Sequence, residues 1–309
     1  MAQVLGFTPD DDYRTDEASG EGWQLLLGDS CERLRELEDD SVDFSICSPP
    51  FAQVYNYSPS PRDLSNSSSR EEFFEHYAFI IREQFRVTKP GRVAIIHVAD
   101  ITVQKVLDGF IGVSDFSSQV VKAFQDEGWI FDGRWTIDKN PQAQAIRTKS
   151  QSLLFVTMDR DSTMLRPAMP DYALKFRKPG DNAVPVKARL TKEEWIKYAS
   201  PVWLDINETN TLNVRVAKDD ADERHICPLQ LDFIDVFVRM YVNPGETVLT
   251  PFAGIGSETF VALKNDCKTI GIELKESFWL TAVANMRRLE LDRSTVSIFD
   301  TVEGYEGIA

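Results

Sequence analysis

The sequence predicts an α/β fold built on a mainly parallel sheet. Three observations carry that expectation. Short apolar runs recur along the chain, segments with helical apolar spacing separate them, and two of the runs open directly into motif-bearing loops.

In chain order, residues 1 to about 22 are acidic and rich in Gly and Ser, and read as a loose arm. Trp23 to Leu27 alternates into Gly28-Asp29, a short strand stopping at a turn. Cys31, Leu34 and Leu37 fall at helical spacing, and Val42 to Cys47 is the next strand. Tyr55 to Arg70, loaded with Ser, Pro and Asn, is a long loop. Long loops beside a site tend to be functional lids, and plain disorder is the alternative. Glu71 to Phe85 reads as a helix with the stripe Phe73, Phe74, Tyr77, Ile80 and Ile81, and Pro90-Gly91 breaks it. Arg92 to Val98 is a central strand, Phe116 to Gly128 a helix, and Trp129 to Ile137 and Ser152 to Val156 two further strands. From about 158 to 222 the pattern dissolves into Pro, Gly and charge with few strong elements, as an inserted or appended specificity module would. Leu229 to Met240 resumes as a helix, Asn243-Pro244-Gly245 is a turn, and Thr247 to Leu249 is a strand. The boundaries that follow are 1–22, 23–157, 158–222, 223–295 and a tail at 296–309.

Bulk properties narrow the class. The 309 residues are 42% hydrophobic and 27% charged, an ordinary globular balance with length enough for a core. No run of about 18 apolar residues exists, so no membrane span is expected. The N-terminus lacks a basic region and runs into Asp10, Asp11 and Asp12, unlike a secretory signal. Cys31, Cys47, Cys227 and Cys267 have no paired close spacing, and the three histidines are widely separated. A reduced, cytoplasmic protein without a metal site is expected. The net charge of −15 argues at first against nucleic acid. Between Lys139 and Lys197, however, 12 Lys and Arg face 6 Asp and Glu, and phosphate binding depends on the local patch.

The first motif is Ser48-Pro49-Pro50-Phe51 at the end of the Val42 to Cys47 strand. Two prolines cannot donate backbone hydrogen bonds or continue a ladder. They leave a rigid corner with free carbonyls, a hydroxyl and an aromatic face, suited to gripping a flat, amino-bearing ring. The bland alternative is a strand end with Phe51 in the core. The second motif is Thr250-Pro251-Phe252-Ala253-Gly254-Ile255-Gly256-Ser257, between a strand and the helical stretch Glu258 to Lys264. Strand, glycine loop and helix is how nucleotide-like cofactors are held at the carboxyl edge of an α/β sheet. Its spacing differs from the phosphate-cradling G-x-x-x-x-G-K-[ST] loop. Thr269 to Glu273 then ends in an acid 17 residues after Gly256, placed to hold the ribose hydroxyls of an adenosine-bearing cofactor.

F-A-G-I-G-S followed by G-I-E, with S-P-P-F far upstream, resembles the S-adenosylmethionine-dependent DNA amino-methyltransferases, in the motif order of their circularly permuted β class. The resemblance covers roughly Leu25 to Val156 and His225 to Leu291. It implies a Rossmann-like S-adenosylmethionine methyltransferase sheet with helices on both faces, circularly permuted, plus a small basic specificity segment. The catalytic half would be 23–157, the target-recognition segment 158–222 and the cofactor half 223–295. Phe252, Ala253, Gly254, Gly256 and Ser257 would line the cofactor, Glu273 would bind its ribose, Asp29 would meet its adenine amino group, and Pro228 would lie near its methionine end. Ser48, Pro49, Pro50 and Phe51 would hold the target base. Lys139-Asn140-Pro141 and the strand through Phe155 would shape the base pocket. Two departures stand out: Thr250 replaces the usual Asp, and Glu258 replaces the usual Thr. Thr250 offers no charge to the cofactor's ammonium, so affinity is weaker or Glu258 contributes.

The resemblance further implies double-stranded DNA as partner, with Tyr55, Lys139, Arg147, Lys149, Arg177 and Lys178 as candidate contacts. A cognate restriction nuclease, or a phage or host defence system, would accompany it, and monomer and homodimer both remain open. Ser48 with Phe51 favours cytosine N4 as the target, adenine N6 being the alternative. A cytosine-C5 mechanism needs a nucleophilic cysteine just after a proline, whereas Cys47 precedes both prolines. A relative that binds DNA without catalysis, or one that methylates a nucleotide, RNA or protein, are the other readings.

Overall fold

The computed structural model describes residues 14–51, 60, 62–103, 109–142, 144, 155–212 and 228–302. The strands are β1 (Asp16–Gly20), β2 (Trp23–Leu27), β3 (Val42–Cys47), β4 (Thr88–Ala99), β5 (Ile101–Val103), β6 (Gly112–Ser114), β7 (Ile130–Ile137), β8 (Asp171–Arg177), β9 (Val202–Trp203), β10 (Thr247–Thr250) and β11 (Lys268–Glu273). The helices are α1 (Ser30–Arg33), α2 (Arg70–Val87), α3 (Phe116–Asp126), α4 (Phe155–Arg160), α5 (Lys192–Ala199), α6 (Leu231–Tyr241), α7 (Ser257–Lys264) and α8 (Glu276–Val302). Nine strands form one sheet in the order β1-β2-β11-β10-β3-β4-β8-β7-β9, and β5 pairs with β6 alone.

The centre of this sheet is parallel, from β2 through β11, β10 and β3 to β4. These strands are apolar on both faces because helices cover both. Along β4, Ala94, Ile96 and Val98 join a core with Phe73, Tyr77, Phe116 and Phe124 of α2 and α3. The alternate residue Ile95 joins the opposite core with Phe233 and Phe237 of α6. Helix α2 is capped by Ser69, whose side chain accepts the Glu72 N–H at 3.1 Å. Helix α8 packs through Trp279, Ala282 and Met286 on Trp23 and Leu25.

Four expectations change. The segment before Trp23 is no loose arm where it is described, since β1 pairs antiparallel with β2. Phe155 and Val156 belong to helix α4, not to a strand. The 158–222 segment supplies β8, which lies inside the main sheet between β4 and β7 and runs antiparallel to both. Strand β4 also begins at Thr88 and so runs through Pro90-Gly91.

Candidate active site

The parallel strands fix where the loops meet. Leu249 of β10 pairs with Ser45 of β3, and Thr250 with Gly271 of β11. The glycine loop after β10, the proline corner after β3 and Glu273 at the end of β11 therefore share one edge. They line one cavity of ≈370 Å³.

On the loop side, Phe252, Ala253, Gly254 and Ser257 line the cavity, with Asp29 and Pro228 in the same wall. Gly254 adopts φ +53° and has open space where a Cβ would stand. Its N–H donates to Glu273 Oε2 at 2.7 Å, and the Lys275 N–H donates to Oε1 at 2.8 Å. Burial pushes the Glu273 carboxyl up to about 7 despite these two donors. Asp29 caps α1 by accepting the Cys31 N–H at 2.8 Å and lies 3.3 Å from Arg62 Nη1. Gly256 takes φ +89°, a left-handed conformation that lets α7 start at Ser257.

Thr250 and Gly256 do not line the cavity. Thr250 is fully buried beneath the loop, and its hydroxyl has no hydrogen-bond partner among the described residues. A further carboxyl on this wall is Glu258, in the first turn of α7. Burial pushes it up to about 8, and the neighbouring Glu273 adds to the rise.

On the corner side, Ser48, Pro49, Pro50 and Phe51 all line the cavity. Phe51 is half-buried and packs 5.9 Å from Phe116, so it belongs to the cavity wall and to the core behind it. Lys139 lines the same space, with its ammonium 2.6 Å from Asp171 Oδ2.

Arg177 and Lys178 are not brought here. Ala99 of β4 pairs with Asp171 at the cavity edge, while Val93 pairs with Arg177 at the opposite edge. The two ends are six positions apart along β4, roughly 20 Å. Lys178 donates to Asp40 Oδ1 at 2.7 Å and to the Thr88 carbonyl at 2.7 Å. Lys178 is thereby tied into the fold, whereas Arg177, its side chain 38% exposed, lies 4.0 Å from Asp132. Tyr55, Arg147 and Lys149 lie outside the described residues.

Sequence reasoning missed His97, Asp171 and Asp63, which also line the cavity. Their only linear signal is a polar residue inside a buried strand (His97), at a strand start (Asp171) and in a Ser- and Asn-rich loop (Asp63). Asp63 is buried and accepts the Ser65 N–H at 2.9 Å and the Ser65 hydroxyl at 2.7 Å.

The architecture is that of S-adenosylmethionine-dependent methyltransferases. The structure of TTHA0409 from Thermus thermophilus, complexed with S-adenosyl-L-methionine, aligns with a TM-score of 0.63 at 22% identity, over 85% of this chain and 94% of that one. PvuII DNA methyltransferase (cytosine-N4-specific) aligns with a TM-score of 0.61 at 16% identity, over 85% and 86% of the two chains. In sequence, Type II methyltransferase M.MjaI of Methanocaldococcus jannaschii is 23% identical over 286 residues, 82% of this chain and 88% of that protein. The N6/N4 DNA methylase family profile matches residues 42–284. The chain belongs to that family of DNA methylases.

Proposed function

We propose that the protein transfers a methyl group from S-adenosylmethionine to the exocyclic N4 amine of a cytosine flipped out of double-stranded DNA. The observation that carries this reading is the single cavity joining Ser48–Phe51 to the glycine loop and Glu273. The residues suit the cofactor. Gly254 leaves room for close backbone approach, and the buried Ser257 hydroxyl has no partner among the described residues. Glu273 accepts from the ribose hydroxyls, Asp29 accepts from the adenine amine, and Phe252, Ala253 and Pro228 supply apolar contact. Glu258 brings a carboxyl to the cofactor's cationic end, which Thr250 does not reach. The cofactor, when bound, supplies an electrophilic methyl group on a sulfonium.

The target amine is a poor nucleophile because its lone pair is delocalised into the ring. Ser48 Oγ and the Pro49 carbonyl accept its two hydrogens, drawing the lone pair back onto nitrogen, and proximity supplies much of the acceleration. The amine is inaccessible inside a duplex, so the base must leave the stack, and Phe51 receives its face. The Ser48 and Phe51 pair favours cytosine over adenine. The test is incubation with labelled S-adenosylmethionine and methyl-free amplified genomic DNA, followed by nucleoside mass spectrometry. A 4-methylcytosine peak is expected. A 6-methyladenine peak assigns the other base, and cofactor binding without label in DNA overturns the enzymatic reading.

A further inference from the structure

His97 lies in the middle of the molecule in no sequence motif, yet strand register makes it the neighbour of Ser48. Cys47 of β3 pairs with Ile96 of β4, so the next residues, Ser48 and His97, stand side by side. His97 Nδ1 is 3.3 Å from Ser48 Oγ, a length common where catalytic hydrogen bonds tighten only with substrate present. On its other side, His97 Nε2 is 3.0 Å from Asp171 Oδ2, and Lys139 Nζ is 2.6 Å from that same oxygen. All four residues line the cavity. The His97 ring is further held edge-on to Phe233 of α6 at 5.2 Å.

The tautomer follows from this chain. Burial pushes the Asp171 carboxyl up, but His97 and Lys139 outweigh it and hold the group below the usual carboxylate range. An ionised Asp171 only accepts, so in the neutral ring the hydrogen sits on Nε2 and Nδ1 is the acceptor. The Ser48 hydroxyl then donates to Nδ1, and its oxygen lone pairs face the cavity.

We propose that His97, oriented by Asp171 and Lys139, is the positioning residue and proton acceptor behind Ser48, taking up through that hydroxyl the proton the target amine sheds. This deepens the amino-methyl-transfer reading and rests on it. The nitrogen that gains a methyl group gains a positive charge and must lose one hydrogen. Its N–H bond breaks with the electron pair left on nitrogen, and the proton passes to Ser48 Oγ. The hydroxyl's own proton moves to His97 Nδ1, and the imidazolium so formed sits against Asp171. Charge is conserved, and no further reactant is needed. The relay has the orientation logic of a base held by a carboxylate, with the serine oxygen serving as an acceptor rather than a nucleophile.

The charged groups that share the cavity with His97 are Asp171 from β8, Lys139 from the segment after β7, Asp100 just past β4 and Glu208, with Asp29, Arg62, Asp63, Glu258, Glu273 and Lys275 elsewhere in its lining. Glu258 and Glu273 also titrate near neutrality, so the test compares variants under saturating cofactor. His97→Asn keeps an acceptor at the Nδ1 position but cannot take the proton. Its single-turnover methylation of methyl-free genomic DNA is expected to fall by about 10²-fold or more, with cofactor affinity unchanged. The acid limb of the wild-type pH–rate profile that belongs to His97 is expected to vanish, while any limb from the glutamates persists in both proteins. Asp171→Asn is expected to slow the same step. Long-range ¹H–¹⁵N spectra of the free protein provide a readout independent of activity. The chain has three histidines, so the His97 signals are assigned by their loss in His97→Asn. An Nε2–H tautomer is expected, lost in Asp171→Asn. An Nδ1–H tautomer, or an active His97→Asn with an unchanged acid limb, overturns the relay. A wild-type protein that puts no label into DNA instead overturns the methyl-transfer reading beneath it.

Discussion

Ser48 and Glu273 line one cavity, and their chemistry separates what each contributes. In the proposed reaction the Ser48 hydroxyl serves the amine as it reacts, so its effect there belongs to the transition state. Glu273 accepts the Gly254 and Lys275 N–H groups and retains lone pairs for a diol, so in the proposed reaction its effect belongs to ground-state binding. Ser48→Ala is expected to lower single-turnover rate by roughly 10²-fold with little change in cofactor affinity. Glu273→Ala leaves two backbone donors without their acceptor and is expected to weaken cofactor binding by about 2–3 kcal/mol, sparing the rate at saturation. Calorimetric titration beside single-turnover kinetics checks both, and equal losses in both parameters for either variant would refute the division. The carboxyl of Glu273 titrates at about 7 in the free protein and accepts best when ionised. Cofactor affinity should therefore rise as pH climbs from below to above that value.

Helix α7 carries a tension within its first turn. A helix N-terminus favours a carboxylate there, yet Glu258 is only 4% exposed and burial dominates. Its carboxyl rises from 4.5 to about 8, so the folded state holds this proton more tightly than the unfolded chain. The stability it contributes is full below about 4.5 and is lost as pH rises through about 8. The free protein is expected to lose on the order of 5 kcal/mol across that window from this group, with Glu273 adding to the trend. Glu258→Gln should flatten the slope in urea unfolding measured from pH 5 to 9, while weakening cofactor binding. Parallel slopes for wild type and variant would mean that Glu258 is not held neutral by the fold. Elements of this kind differ in how far sequence reveals them. The amphipathic stripe of α2 and the apolar run of β3 are local patterns, and both formed where periodicity placed them. The Phe155 run was too short to separate strand from helix, and helix α4 resulted. Strand β8 hid because Asp171, Lys175 and Arg177 interrupt its apolar residues; their partners, Lys139 and Asp132, lie elsewhere in the chain. The same limit governs the site. Ser48–Phe51 and the glycine loop are contiguous and legible, whereas His97, Asp171 and Lys139 meet only through strand register.

Across the whole molecule, the charge pattern reads differently once partners are known. The stretch from Lys139 to Lys197 holds twice as many cations as anions within a chain of net charge −15. Part of that excess is paired with acids elsewhere in the chain: Lys175 with Asp132, Lys178 with Asp40 and, on the exposed surface, Lys197 with Asp205, each at 2.7 Å. Local basic composition therefore overstates the field this segment offers to a phosphate backbone. Lys178 decides the point. Its side chain is only 12% exposed, its ammonium bonds Asp40 Oδ1 and the Thr88 carbonyl, and it lies 4.9 Å from the Phe85 ring centroid. A lysine contacting phosphate would contribute about 0.9 to the slope of log affinity against log salt. Lys178→Ala is expected to leave that slope unchanged in DNA titrations at several salt concentrations. The same variant should lose about 1–3 kcal/mol of stability, because its carbonyl and carboxylate partners lose their donor. A salt slope shallower by nearly one unit, with the melting temperature intact, would return Lys178 to the DNA interface and restore the basic segment as its source.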